Sequence, residues 1–305
     1  MNVALGDDLH ELLHPIGTHR FFSEYWNRRA VYIPGEPNKF NGLFDQSAFD
    51  AAAHHCDLLK VNYADRNGWP SEMLIRPDQI QEMLIQGRTV CAGGVEKVNA
   101  NLAAFIERFS KHFVQMGTFH FNAYLSPAGK GFGLHLDDHP VWILQIEGEK
   151  DWWFSPEPGL KKLVSTVCFP PGVMVQKLPW ATIERPEESR FLHTVMRPGD
   201  MLYMPKGVWH RASAVGGSMA LTLAELCATP LDVIQHAIGP RFQNSTSFQD
   251  PLPGFWSGAD ISAVEIPPEL QRVFEDSLEQ LQMMVKALTP ADLYKTWRES
   301  KVKEA

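Results

Sequence analysis

Short runs of β-branched and aromatic residues, separated by glycine and proline, dominate the middle of the chain. They cover residues 119–125, 141–146, 151–154, 201–204 and 218–226. This spacing is typical of an antiparallel sandwich or barrel and differs from that of a doubly wound sheet. The pattern therefore predicts a β core over about residues 114–228.

Helical periodicity marks the segments on both sides of this core. Residues 46–59 and 101–113 keep apolar side chains on one helical face. Behind the core, a 3.6-residue apolar period runs from Leu270 to Leu288, and Thr289 is placed to cap a last helix. We expect a mainly β protein with flanking helices, divided into a domain 1–228, with a helical part of about 1–113, and a helical region 229–305.

Composition and charge narrow the function classes. The 305 residues are 44% hydrophobic and 21% charged, which is enough apolar material for a sizeable core. A net charge of −8 disfavours non-specific nucleic-acid binding. No apolar run approaches the roughly 18 residues of a membrane span, the acidic start is unlike a signal peptide, and the four cysteines lie far apart. We expect a cytoplasmic protein with reduced thiols and no membrane partner.

His135 and Asp137 stand one residue apart in a glycine-rich run. On extended backbone such residues project to the same face, where an imidazole nitrogen and a carboxylate oxygen can bind a divalent transition metal. A histidine from another strand would complete a three-ligand face with open positions for substrates. The alternative is a loop histidine hydrogen-bonded to a carboxylate. Asp138 does not have the two-residue spacing from His135. His139 is expected either to lie beside the ligands without binding the metal or to have an ordinary packing role.

The same His-x-Asp spacing occurs at His55 and Asp57, within a segment of helical pattern. Residues two apart on a helix diverge by about 200° and cannot bind one metal. We therefore interpret this second copy as part of a solvated helix face.

Two further segments carry candidate chemistry. Residues 198–210 predict a turn, a strand and a Pro-x-Gly turn that delivers His210 to the next strand. Residues 141–152 are typical of a hairpin whose second strand has Lys150 and Trp152 on one face. A lysine inside an apolar barrel is costly unless it meets an anion, and a solvated edge-strand lysine is the alternative. Thr222 faces either the barrel interior or the neighbouring strand.

Together, His-x-Asp, Gln-x-x-Gly-x-Lys-x-Trp and Pro-Gly-Asp-x-x-Tyr-x-Pro-x-Gly-x-x-His resemble the JmjC-type, cupin-like Fe(II)/2-oxoglutarate oxygenases, most closely the ribosomal-oxygenase branch. Residues 21–29 and 122–127 are similar to that branch too, so the resemblance covers about residues 15–228. It implies a double-stranded β-helix, or jelly roll. The residues it implies are the iron ligands His135, Asp137 and His210, the partner Lys150 of the distal 2-oxoglutarate carboxylate, and the pocket residues Tyr124 and Asn122.

The resemblance also implies an activity: an Fe(II)- and 2-oxoglutarate-dependent dioxygenase that uses O₂ to hydroxylate an amino-acid side chain of a peptide or protein and releases succinate. The same chemistry on a free metabolite, or a non-catalytic metal-binding cupin, are the alternatives. The intact triad with Lys150 argues against the non-catalytic reading. The residues after Ala228 show no convincing strand pair for the winged-helix domain usual in that branch. We expect a helical dimerisation element there, with packing on its own barrel as the competing role.

Overall fold

The computed structural model describes residues 9–64, 70–113, 117–160, 167–168, 186–245, 248–252 and 266–303. The chain divides into two compact units. Residues 1–113 and 118–226 form one, and residues 114–117 and 227–305 form the other. The domain boundary after residue 228 stays a prediction.

Two mainly antiparallel sheets form the β part of the first unit. The described strands are β1 (Val31–Ile33), β2 (Leu58–Ala64), β3 (Pro70–Leu74), β4 (Thr89–Gly93), β5 (Gly117–Ser126), β6 (His135–Leu136), β7 (Val141–Glu147), β8 (Lys150–Phe154), β9 (Val167–Cys168), β10 (Leu192–Met196), β11 (Met201–Met204), β12 (His210–Ala214) and β13 (Ser218–Cys227). The larger sheet has the order β1-β11-β7-β13-β5-β4-β2-β3, and the smaller one β10-β8-β12-β6-β9.

Helices flank the strands in sequence. The described helices are α1 (Leu9–Leu12), α2 (Thr18–Arg20), α3 (Gln46–Ala53), α4 (Ile80–Ile85), α5 (Ala100–Ser110), α6 (Pro230–Gln243), α7 (Pro268–Lys286) and α8 (Pro290–Lys303). A π-helical turn, Phe21–Tyr25, follows α2. The expected fold class, mainly antiparallel β with flanking helices, is confirmed.

The five strands predicted from the hydrophobic runs all form, but the predicted hairpin at residues 141–152 is wrong. β7 pairs with β11 and β13 in the larger sheet, whereas β8 pairs with β10 and β12 in the smaller one. Gly148, with φ 65°, turns the chain at this corner between the sheets. A hairpin and a corner both require such a glycine, so the turn residues could not distinguish them.

The buried Gln145 side chain holds the corner in place. Its Nε2 donates to the carbonyl oxygen of Glu147 at 2.8 Å and to Ser218 Oγ at 3.0 Å. Its backbone N–H donates to Asp200 O, and its carbonyl accepts from Gly199 N. These bonds tie together three connections between the two sheets: β7 to β8, β10 to β11 and β12 to β13.

The N-terminal part is less helical than predicted. Asp45 caps α3 through the Ala48 N–H, but the helix ends at Ala53, not near residue 59. Residues 58–64 instead form β2, because they find pairing partners on both sides in β3 and β4. Long-range strand pairing thus overrides a local helical pattern. These strands extend the larger sheet beyond β5.

An aromatic core covers the outer face of the larger sheet. Trp142, fully buried, packs against Phe21, Phe109 and Tyr203 with ring centroids 4.7–5.2 Å apart. Its indole N–H donates to the buried Glu225 carboxylate at 3.2 Å. Full burial of one such side chain contributes on the order of 1.5–3 kcal/mol. The alternate residues of β7 face the other way, toward the smaller sheet, so β7 is buried on both faces.

The second unit is helical, as predicted. Thr229 caps α6 in a reciprocal arrangement with Asp232, and Thr289 makes the same arrangement with Asp292 at the start of α8. α7 carries the predicted apolar period, yet none of its residues is buried. None of the helices in the described ranges is both long enough and apolar enough to span a membrane.

We expect Gly148→Ala to lower the free energy of unfolding by about 1–3 kcal/mol, because an L side chain is strained at this φ. Its Cβ would also lie 2.0 Å from the Gly217 carbonyl oxygen. The urea midpoint measures the loss. Gly216→Ala is the matched control, since its Cβ meets no heavy atom within 4 Å. A control variant that loses as much stability as Gly148→Ala would contradict the importance of this corner.

Candidate metal centre

The two predicted metal-binding segments meet in space. One ligand atom from each of His135, Asp137 and His210 lies within 4.8 Å of the other two. The imidazole rings of His135 and His210 are 4.0 Å apart, and His210 Nε2 is 3.6 Å from Asp137 Oδ2. Within the described residues, this is the one cluster of three or more histidine, cysteine or acidic side chains with metal-binding geometry.

Strand pairing and a loop contact bring these residues together. His210, the first residue of β12, pairs directly with His135, the first residue of β6. The predicted Pro-x-Gly turn contributes as well, because the Gly207 N–H donates to the Asp137 carbonyl oxygen at 2.9 Å. Gly207 has φ 82°, a conformation that favours glycine. The prediction that this turn delivers His210 to a strand is confirmed.

Backbone carbonyls orient both imidazole rings. His135 Nδ1 is 2.8 Å from the Gly133 oxygen, and His210 Nδ1 is 3.0 Å from the Val208 oxygen. A neutral imidazole that donates from Nδ1 keeps the lone pair on Nε2 for a metal. Burial and the neighbouring His135 lower the pKa of His210 to about 3, so this imidazole is uncharged at neutral pH. The donor set therefore fits a divalent transition metal bound on one face.

A buried lysine lies in the same cavity. Lys150 is 2% exposed, which excludes the alternative of a solvated edge-strand lysine. Its Nζ donates to Ser126 Oγ at 3.1 Å, and the Thr89 hydroxyl donates to the same oxygen at 3.2 Å. Burial lowers the pKa of Lys150 to about 8. No carboxylate of the described residues lies within 4 Å of this ammonium, which suits it to an anionic ligand.

The cavity has a volume of about 310 Å³ and joins the triad to Lys150. Asn122, Tyr124 and Thr222 also line it, so Thr222 faces the interior of the sandwich. Burial, together with Cys91 and Asp137, raises the pKa of Tyr124 well above its usual value, and the phenol keeps its proton. The predicted site residues are thus brought into one cavity, while their roles remain proposals.

His139 lines the cavity and pairs with Asp138, its Nδ1 lying 2.8 Å from Asp138 Oδ1. Burial alone would lower the pKa of His139, but this hydrogen bond and the charges of Asp137 and Asp138 raise it. The same hydrogen bond lowers the pKa of Asp138. The pair stands beside the three candidate ligands and is distinct from them.

The second His-x-Asp copy has no metal-binding geometry, although not for the predicted reason. His55 and Asp57 lie in the turn between α3 and β2, outside the helix. The Asp57 carboxylate forms an ion pair with Lys97. Burial raises the pKa of the intervening Cys56 thiol.

Sequence reasoning missed five residues around the cavity. Thr89 and Ser126 contact the lysine region, and three others line the far wall: Lys60, Asn62 and Glu72. They lie on β2, β3, β4 and β5, and only Ser126 belongs to a segment with a recognisable motif. No local pattern indicates the others, because their place depends on how β2 to β4 join the sheet.

Comparisons with known proteins identify relatives of the part of the chain that contains this site. Residues 98–230 match the family model of the JmjC domain. This part of the chain is therefore similar to a JmjC domain, and the relatives below include the ribosomal oxygenases that the motifs resemble.

Curated relatives include Ribosomal oxygenase 1 of Gallus gallus, which is 24% identical in an alignment that covers 69% of this chain and 35% of that protein. The bifunctional lysine-specific demethylase and histidyl-hydroxylase NO66 of Aedes aegypti is 23% identical over 69% of this chain and 33% of its own length. The chain thus spans about a third of these relatives. An uncharacterised Bacillus subtilis protein, YxbC, is 21% identical over 97% of this chain and 93% of its own.

Solved structures show the same fold. The ribosomal oxygenase YcfD of Escherichia coli, determined with cobalt and 2-oxoglutarate, covers 90% of this chain and 68% of its own with TM-score 0.55 and 17% identity. Another structure of ycfD gives TM-score 0.56. The JmjC, cupin-like architecture expected from the sequence is confirmed.

We expect His135→Ala, Asp137→Ala and His210→Ala each to weaken binding of Mn(II) by at least about tenfold, because each removes one of three ligands. Equilibrium dialysis or electron paramagnetic resonance of free Mn(II) measures this without turnover. His55→Ala is the matched control and should bind like the wild type. Loss of binding in His55→Ala, but not in His135→Ala, would contradict the site.

Proposed function

We propose that this protein is an Fe(II)- and 2-oxoglutarate-dependent dioxygenase that hydroxylates an amino-acid side chain of a peptide or protein. One observation supports this proposal most strongly: the His135–Asp137–His210 cluster and the buried Lys150 line the same cavity, and no carboxylate of the described residues pairs with that lysine. A bound ferrous ion with 2-oxoglutarate and O₂ supplies the oxidising power, and 2-oxoglutarate is decarboxylated to succinate. The chain's residues bind, orient and shield the reactants.

Each residue has a proposed role. His135, Asp137 and His210 hold the metal and leave its remaining positions to the co-substrates. The Lys150 ammonium, held by Ser126, pairs with the distal carboxylate of 2-oxoglutarate. Asn122 and Tyr124 lie on β5 in the same cavity and serve as hydrogen-bonding groups beside the co-substrate. Trp152, which is buried, lines the same cavity, with its ring centroid 5.9 Å from Lys150 Nζ.

A protein substrate is favoured by the names of the relatives, which describe ribosomal oxygenases and a histidyl-hydroxylase. Two alternatives remain: an enzyme that hydroxylates a free metabolite by the same chemistry, and a non-catalytic metal-binding cupin. We also propose a cytoplasmic location and association into a homodimer through the C-terminal helices. The exposed apolar residues of α7, among them Phe274 and Leu278, support the homodimer.

The activity is tested by loading the protein with Fe(II) and 2-oxoglutarate without oxygen, admitting O₂, and measuring succinate with and without a peptide fraction.

Lys150→Ala should bind Mn(II) normally but lose about two to three and a half decades of 2-oxoglutarate affinity. Removal of one partner of a buried ion pair costs about 3–5 kcal/mol. Calorimetric titration of the Mn(II) form measures the affinity.

The pH dependence of this binding checks the role of Lys150 independently. Its pKa near 8 means that the ammonium is present below that pH and is lost as pH rises through it. Wild-type affinity for 2-oxoglutarate should therefore fall between about pH 7 and about pH 9, while that of Lys150→Ala stays flat. Equal affinity of the two proteins at the lower pH would refute the assignment.

We expect the double variant Phe274→Asp with Leu281→Asp to sediment as a folded, Mn(II)-binding monomer, because it places charges in the apolar stripe of α7. Glu275→Gln with Glu279→Gln on the same helix is the matched control and should remain dimeric. A wild-type protein that is monomeric at micromolar concentration would exclude the dimer, and global unfolding of the Asp variant would indicate packing within the chain.

A further inference from the structure

The metal cavity has a charged wall formed by Lys60, Asn62 and Glu72. Lys60 Nζ and Asn62 Nδ2 both donate to Glu72 Oε1, at 2.6 and 3.0 Å. The three side chains therefore form one hydrogen-bonded group on the neighbouring strands β2 and β3. None of the steps proposed above uses it. We call these three residues the charged wall.

Strand register gives the distance between the charged wall and Tyr124, which lines the same cavity from β5. Lys60 pairs with Cys91, and Cys91 pairs with Tyr124, so two strand spacings separate Lys60 from Tyr124. Glu72, which pairs with Asn62, lies one strand further out. Adjacent strands are about 4.8 Å apart, so the cavity extends roughly 10–15 Å from β5 across the sheet. Such a span corresponds to three to five residues of extended peptide at about 3.3 Å each.

Within the charged wall, the carboxylate is the group most open to a ligand. The Glu72 side chain is 57% exposed and the Lys60 side chain 21%. Both donors of the wall share Oε1, and among the hydrogen bonds of the described residues Oε2 accepts none. A carboxylate with one free oxygen accepts N–H donors, best from a guanidinium. The chain's net charge of −8 favours the approach of a cation.

We propose that Glu72 determines specificity by accepting a basic side chain of the peptide substrate, at a position that flanks the hydroxylated residue. This inference rests on the proposed function and deepens it. Lys60 and Asn62 hold the carboxylate through Oε1 and leave Oε2 for the substrate. The residue to be hydroxylated then lies beside the His135–Asp137–His210 cluster. The charged wall binds the side chain of another substrate residue several positions away.

Synthetic peptide pools test the proposal. Each pool carries one fixed residue in a neutral random background, and the fixed residue is arginine, its uncharged analogue citrulline, or glutamate. Retention on the immobilised full chain is measured with and without Mn(II) and 2-oxoglutarate. The wild type should retain the arginine pool about fivefold over the citrulline pool, the preference that one partly exposed ion pair provides. Glu72→Gln should bring this ratio close to one.

Two further variants make the result specific. The double variant Lys60→Glu with Glu72→Lys keeps an ion pair but exchanges the positions of the two charges. This protein should prefer the glutamate pool. Glu82→Gln removes the same charge from an exposed position of helix α4 and should keep the wild-type ratio. Urea midpoints confirm that each variant is folded.

The proposal is overturned if Glu72→Gln keeps the wild-type ratio, if the wild type prefers the glutamate pool, or if no pool is retained. A preference that appears only for free arginine over free citrulline would assign the cavity to a small cationic metabolite and also overturn it. Because retention is measured without iron, it is separable from succinate release. A protein that releases succinate but shows no arginine preference fails this inference alone, and one that binds no Mn(II) fails the proposed function.

Discussion

The pairing of β12 with β6, which sets His210 opposite His135, is the constraint on which the candidate metal centre depends. The two histidines are 75 residues apart in sequence. Register fixes their rings 4.0 Å apart, and the Gly207–Asp137 hydrogen bond places the carboxylate beside them. A shift of one residue in either strand would turn one histidine to the opposite face. Pairing with β8 over five residues opposes such a shift of β12.

The site contains groups whose burial is unfavourable for folding. Lys150 is buried with only a hydroxyl as hydrogen-bond partner among the described residues, and burial suppresses the charge of His210. Such groups cost free energy that the rest of the fold must offset. The aromatic core on the other face of the larger sheet is placed to do so, since it buries Trp142, Phe21 and Tyr203 completely. One strand, β7, connects the two regions by facing the aromatic core with one set of residues and the smaller sheet with the other.

Most strands of the β core and the three candidate metal ligands could be predicted from local sequence, for identifiable physical reasons. The His-x-Asp spacing and the Pro-x-Gly turn depend only on residues close together in sequence. The strands of the core are so buried that their sequences are continuous apolar runs. Which sheet a strand joins is not local, so the corner at Gly148 was predicted as a hairpin. The end of α3 and the existence of β2 depend on partners elsewhere in the chain. The charged wall follows from those same pairings, and no pattern around Lys60 or Glu72 indicates it.

The two halves of the cavity therefore come from different parts of the fold. Strands β6, β8 and β12, in the smaller sheet, carry His135, Lys150 and His210, and β12 pairs with both of the others. Strands β2 and β3 extend the larger sheet at its edge and supply the charged wall. A change on these outer strands can alter the charge of that wall without moving the register between His135 and His210. An arrangement of this kind lets the proposed oxidative chemistry stay fixed while the residues that contact the substrate vary, which is the usual relation between a fold and the sites built on it.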